Sequence, residues 1–321
     1  MPMTKQSNTP KTNSIWVDED TANFLRLRIK TFYNADYFER IMLPLMNIPQ
    51  HGHVLDVGCG YGGLSIVLAE LRPDLHITGL DIESAALESA AQYARQRELA
   101  NMTFEQGDAH RLKYEDNRFD AVVCQTVLTH VGDAEAVVRE MARVLKSNGN
   151  FMAAEYTSVG PVSVYNSEQD KKRDDAWYEK VFRLTRLLLK GKQALGRGDD
   201  YLGVRVPLLA TVAGLDVFDV RLNDRVLHVL PPYSHPKQAD YLELLKAFYE
   251  PDPDRKGLAQ NIELLRAAGG TEEDAEWLYN SGDMGAVRQA IADDNLTEIS
   301  AYMLYLTFAR KPEKHNRSMV K

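Results

Sequence analysis

Apolar positions recur along this chain with two periods, and each change of period marks an element. Over 16–46 apolar residues are spread around more than one face of a helix, among them Phe24, Leu25, Leu27, Ile29 and Phe32, and Pro44 and Pro49 break that helix. Short apolar runs then alternate with helical patterns. "HVLDV" reads as a strand, and 62–71 reads as a helix with Leu64, Val67, Leu68 and Leu71 on one side. "HITGLDI" is a second strand, followed by an alanine-rich helix over 83–97 that opens with an acid, as the helix dipole favours. "MTFEQGD" and "FDAVVCQTV" are a third and fourth strand. Asp133 is a plausible N-cap for a helix over 133–146, whose core side carries Val137, Val138, Met141, Val144 and Leu145, with Gly149 just past its end. "NFMAAEY" is a fifth strand. Strands alternating with helices predict a parallel sheet covered on both faces, an α/β fold.

The second half is less regular. An amphipathic helix is expected over 174–192, carrying Trp177, Val181, Phe182 and Leu184; the loop "GKQALGRGDDYLG" and a short helix behind Pro207 follow. "LDVFDVRL" and "SAYMLYLTFAR" read as strands separated by a long stretch of mostly helical text. There is no internal repeat and no low-complexity segment. The expected organisation is one catalytic domain with a cap: a flexible tail at 1–14, a helical cap at 15–50, a core at 51–157, and a helical insertion or lid at 158–206. The rest of the core sheet would lie in 207–321, with a helical insertion at about 232–298.

Composition narrows the class. Of 321 residues 44% are hydrophobic and 26% charged, as in an ordinary globular protein. No run approaches a membrane span, and the polar start "MPMTKQSNTPKTNS" lacks the apolar centre of a secretory signal. Two cysteines, Cys59 and Cys124, are too few for a disulfide framework, which favours a reducing, cytoplasmic setting. A net charge of −8 argues against a long nucleic-acid footprint, so the partners expected are a small molecule or a peptide, with neither nucleic acid nor membrane. The oligomeric state is left open, with a homodimer among the options.

The chemistry gathers at strand ends. Gly58, Gly60 and Gly63 have the G-x-G-x-x-G spacing of nucleotide-binding turns, yet Asp56 stands two residues before the first. A carboxylate there repels a pyrophosphate in a site poor in water, but suits a ligand with a positive end. S-adenosylmethionine (SAM) has no phosphate and carries a sulfonium and an ammonium. Asp81 closes the second strand, where an acid accepts ribose hydroxyls. Asp108 closes the third, placed for the adenine amino group, with the Ala109 amide on the ring and Ile82 over one adenine face. Gln125 closes the fourth, at the methionine portion.

"VLDVGCGYGG", "GLDIE", "QGDA", "FDAVVCQTVLTHV" and "ARVLKSNGNFMAAEY", in that order and spacing over roughly 50–157, resemble the motifs of class I SAM-dependent methyltransferases. The resemblance implies a seven-stranded, mostly parallel sheet with helices on both faces plus a helical cap, its sixth strand and antiparallel seventh supplied by the two late strands. It implies that Asp56, Gly58, Gly60, Asp81, Asp108 and Gln125 line SAM, with Cys59 and Tyr61 adding backbone or ring edges. "KSNGN" departs from the family's proline-glycine turn and should alter a surface turn alone.

Beside the cofactor residues, His130 follows the fourth strand as a candidate general base, or packs against the loop instead. Tyr33 is a candidate catalytic hydroxyl from the cap, and Tyr37, Glu155 and Tyr156 are substrate-side candidates; Trp16 and the "KKRDD" run near Lys171 read as packing and solvated face. The loop "GRGDDYLG" reads as a moving lid or an idle surface loop. No histidine or cysteine cluster has metal-ligand spacing. The expected activity is methyl transfer to a small-molecule or peptide-end acceptor; the alternatives are an NAD-dependent oxidoreductase and a non-catalytic SAM-binding regulatory protein.

Overall fold

The computed structural model describes residues 32–157, 173–249, 255–301 and 303–313. Trp16, Phe24 and the first two lysines of "KKRDD" lie outside those residues. Nine strands are described: β1 (His53–Val57), β2 (His76–Asp81), β3 (Met102–Gln106), β4 (Phe119–Gln125), β5 (Leu145–Tyr156), β6 (Asp216–Leu222), β7 (Leu227–Val229), β8 (Glu298–Ser300) and β9 (Leu304–Arg310). Seven form one sheet in the order β3-β2-β1-β4-β5-β9-β6, with β9 antiparallel to both neighbours. The strand order reverses between β1 and β4, which are parallel partners from Val54 opposite Ala121 to Asp56 opposite Val123. That reversal opens a crevice at the carboxyl ends of the central strands.

The helices fall where the 3.6-residue period predicts: α1 (Gly63–Leu71), α2 (Ser84–Gln96) and α3 (Ala134–Val144), the last capped by Asp133, whose Oδ1 accepts the Ala136 amide at 3.0 Å. α3 and α5 (Val206–Val212) cover one face through Val137, Met141, Val206 and Ala210, all 0% exposed. The N-terminal helical run and α1 cover the other, through Met42, Met46, Leu64 and Leu68. Pro44 does not end that run. Its turns are Ala35–Tyr37, a π-wound Phe38–Met42 and Leu43–Met46, and the chain stops at Asn47 in the left-handed region (φ 42). Proline is tolerated early in the helical segment that follows the π-turn, where a missing N–H costs little.

A cap stands beside the sheet. α4 (Asp175–Ala194) packs on α7 (Lys256–Ala267) and α8 (Glu272–Ser281) around Leu184, Leu265 and Ala275. The approach of α4 to α7 needs a glycine, since a Cβ on Gly191 would lie 1.8 Å from the Leu264 carbonyl oxygen. α6 (Pro236–Tyr249) and α9 (Asp283–Ala292) pack with the two-stranded β7–β8 ladder around Val229, Ala290 and Leu296. The "GRGDDYLG" loop is docked: the Asp199 amide and the Lys192 ammonium both donate to the Thr129 carbonyl, at 3.1 Å each.

Candidate functional site

β1 ends in a turn whose amides are already engaged. The Gly58 and Cys59 amides donate to the Leu80 carbonyl at 2.7 and 3.0 Å, and the Gly60 amide donates to Asp81 Oδ2 at 2.8 Å. Gly58 has φ 68, and a Cβ there would lie 2.5 Å from Val127 Cγ2. Gly60 has φ 51, and a Cβ there meets nothing within 4 Å, so this backbone faces open space. The third left-handed glycine is Gly62, while Gly63 begins α1. Asp81 spans two elements, because its Oδ1 also accepts the Glu83 amide at 3.0 Å. Beside it Ile82 is 50% exposed, an unusual cost for a large aliphatic side chain at a strand end. Its carbonyl accepts Gln106 Nε2 at 2.9 Å, which ties the ends of β2 and β3 together.

Asp108, two residues past that junction, keeps its side chain 54% exposed. Its Oδ1 accepts the His110 amide at 2.9 Å and faces His110 Nδ1 at 2.8 Å. Partial burial works to raise its pKa, but the His110 contacts prevail and hold it below the ordinary carboxylate value. Ala109 packs against the α3-side core. Gly60, Asp81, Ile82, Asp108 and Ala109 therefore follow one another along the ends of β1, β2 and β3.

Other predicted residues sit deeper. Asp56 is 1% exposed, and its Oδ2 accepts the Ser65 hydroxyl from α1 in a short hydrogen bond. Burial pushes its pKa up to about 7, against the Ser65 contact, which lowers it. Asp56 thus sits under the turn and ties α1 to β1. Cys59 and Tyr61 are also buried, at 8% and 5% exposure, with Tyr61 packed on Ala86.

At the end of β4 the N-terminal segment meets the core. The Tyr33 hydroxyl donates to Gln125 Oε1 at 3.1 Å, and burial pushes the Tyr33 pKa well above that of a free phenol. Tyr37 stacks against Tyr33 with centroids 6.4 Å apart, and its hydroxyl donates to the Leu222 carbonyl at the end of β6. That places Tyr37 against the far strands. Glu155 is the penultimate residue of β5. It is fully buried, and its Oε1 accepts the Val127 and Leu128 amides at 2.8 Å each. Its Oε2 accepts the Thr129 amide at 3.3 Å and hydroxyl at 3.1 Å. With the Cys124 thiol also donating to Oε1 at 3.9 Å, this carboxylate has five donors and holds the turn after β4. Burial raises its pKa to about 7 while those donors pull it down.

His130 ends the 3-10 turn Leu128–His130, exposed, with Nδ1 3.4 Å from Lys192 Nζ. Tyr156 donates its hydroxyl to Asp200 Oδ1 at 2.8 Å, and the same oxygen pairs with Lys192. This Lys192–Asp200 latch, 16% and 12% exposed, was not foreseen from sequence. Nothing in the spacing of eight residues on a helix end and a loop announces such a pair.

The ends of β1, β2 and β3 thus bring together an open glycine face, a carboxylate fixed by two backbone amides, an exposed aliphatic side chain and a second acid. Among the described residues no group of three or more His, Cys, Asp or Glu is placed to hold a metal ion, and no helix is long and apolar enough to cross a membrane.

Residues 48–193 match the family model described as a methyltransferase domain. The chain is 33% identical over 144 residues to the sterol 24-C-methyltransferase of Aspergillus fumigatus, covering 44% of this chain and 38% of that enzyme. It is 33% identical over 142 residues to the ubiquinone biosynthesis O-methyltransferase of Coxiella burnetii, covering 41% of this chain and 59% of that one. The chain thus spans between about two fifths and three fifths of these relatives. A solved [4+2]-cyclase, SpnF, superposes with a TM-score of 0.52 at 21% identity, over 87% of this chain and 82% of its own, a likeness of fold.

Proposed function

We propose that the chain, whose residues 48–193 match a methyltransferase domain, is a class I SAM-dependent methyltransferase that transfers the SAM methyl group to a small-molecule or peptide-end acceptor. The observation that carries this reading is the open face of Gly60 beside Asp81, which accepts the Gly60 amide, next to Ile82 and Asp108 at the neighbouring strand ends. In this reading Asp81 accepts the ribose hydroxyls, Asp108 the adenine amino group, Ile82 covers the base, and the Ala109 amide donates to the ring. Gln125, steadied by Tyr33, sits at the methionine portion. Bound SAM supplies a methyl group already activated by positive sulfur, so the protein's work is alignment and exclusion of water.

The candidate bases take different parts. Tyr33 stays neutral at ordinary pH, since burial raises its pKa, and acts as a donor to Gln125. His130, with Nδ1 3.4 Å from Lys192 Nζ, is the candidate general base toward the acceptor. Support for a small acceptor comes from the acidic net charge of −8 and from relatives named for sterol and ubiquinone chemistry. Those two names differ in methylating carbon and oxygen, so the acceptor atom is open. Both cysteines are free and buried, which favours a cytoplasmic setting. The test is methyl-labelled SAM with the full chain and separate pools of metabolites, bulk protein and bulk RNA. Label entering the metabolite pool is expected; label in RNA alone overturns the acceptor class, and no consumption in any pool favours a binding protein without turnover.

A further inference from the structure

We infer that Glu155 is a positioning residue for the cofactor, acting through the turn after β4 although it lies beneath the surface of the site. The inference rests on reading the glycine turn as the SAM site. Thr126, a β-branched residue, stands in the left-handed region at φ 52, a conformation that surrounding contacts must hold. Its own amide is tied to the Ala154 carbonyl at 2.9 Å. The next three residues give three amides and a hydroxyl to the Glu155 carboxylate. The first of them, Val127, lies directly over Gly58, so close that no Cβ fits between. Gly58 in turn hangs from Leu80 by its amide, beside Cys59 on the same carbonyl. A chain of contacts therefore runs from the Glu155 carboxylate through Val127 to the turn that holds Gly60 against Asp81.

The same carboxylate holds Val127, Leu128 and Thr129, the residues between Gln125 and His130. Loosening it lets Val127 lift from Gly58, and the Gly60–Asp81 contact then loses its backing. Glu155→Gln keeps the volume but turns an amide N–H₂ toward the Thr129 N–H, where two donors oppose each other. S-adenosylhomocysteine (SAH) is the probe, read by calorimetry on the full chain with unfolding followed in parallel. Glu155→Gln should weaken SAH binding by about fivefold or more, within the range of coupling between linked sites. In a Val127→Ala background the same change should alter SAH affinity by less than about twofold, because the relay is already cut. Val137→Ala, in the core of α3, should lower the unfolding temperature and leave SAH affinity unchanged.

Equal losses from Glu155→Gln in both backgrounds, or no loss in either, would overturn the relay. Should Glu155→Gln fail to fold, Thr129→Val removes a single donor to Glu155. It should weaken SAH binding about twofold, again only when Val127 is present; an unchanged affinity overturns the proposal. Wild-type protein that does not bind SAH would sink the reading of the site itself, a different result from wild type that binds and variants that bind equally.

Discussion

Gly58 and Gly60 are two residues apart and share a left-handed backbone, yet alanine at each should do different damage. At Gly60 the added methyl meets nothing within 4 Å. Its cost to folding is the conformational penalty alone, about 1–2 kcal/mol. At Gly58 the same penalty applies at φ 68, and a Cβ 2.5 Å from Val127 Cγ2 adds overpacking of about 1–3 kcal/mol. The sum is roughly 2–5 kcal/mol, so Gly58→Ala should lower the urea midpoint clearly more than Gly60→Ala. Ligand binding should rank them the other way. The open space over Gly60 is where the cofactor's backbone approach is needed, so Gly60→Ala should fold nearly normally and lose SAH binding by tenfold or more, about 1.4 kcal/mol. Urea unfolding at pH 7.5 and SAH calorimetry on both variants supply the numbers. A Gly60→Ala protein that binds SAH as tightly as wild type would refute the argument that the ligand occupies that space.

Further outcomes follow from the same contacts. Asp81→Ala removes a carboxylate fixed by two backbone amides, and SAH affinity should fall by the worth of a charge-assisted hydrogen bond, about 1.5–3 kcal/mol, in calorimetry. Lys192→Met leaves Asp200 with the Tyr156 hydroxyl but no cation in a largely buried place, and should cost about 3 kcal/mol in urea unfolding; a loss under 0.5 kcal/mol, on the order of an exposed pair, would show the latch to be idle. Asp56 and Glu155 have native pKa values raised to about 7 by burial, so the folded protein binds more protons than the unfolded one between their ordinary values and 7. Their contribution to stability is complete at acid pH and fades as pH rises through about 7. Asp56→Asn should therefore flatten the decline in urea midpoint between pH 5 and pH 8, and an unchanged slope would count against the buried, proton-binding carboxyl.

The main sheet was legible because its strands are short apolar or alternating runs separated by segments with helical periodicity. Asp81, Ile82 and Asp108 fall at strand ends, where spacing alone fixes exposure, and all three line the open edge. The β7–β8 ladder was not legible, since three residues per strand give no period to read. Pro44 misled because a π-wound turn upstream is invisible in the pattern. Glu155 misled for a different reason. An acid at the end of β5 has two faces to choose from, and the choice was made by four donors on a neighbouring turn that only the folded chain brings near. The burial of Asp56 was hidden on the same ground, its partner Ser65 lying in the first turn of α1.

The central claim, that the ends of β1, β2 and β3 together hold a nucleoside free of phosphates, is tested most directly by a crystal structure of the full chain grown with SAH. The account predicts ribose hydroxyls within hydrogen-bonding distance of Asp81, adenine between Ile82 and Ala109 with its amino group on Asp108, and no displacement of the Gly58 and Cys59 amides from Leu80. SAH bound elsewhere, or those amides turned outward to meet an anion, would contradict it.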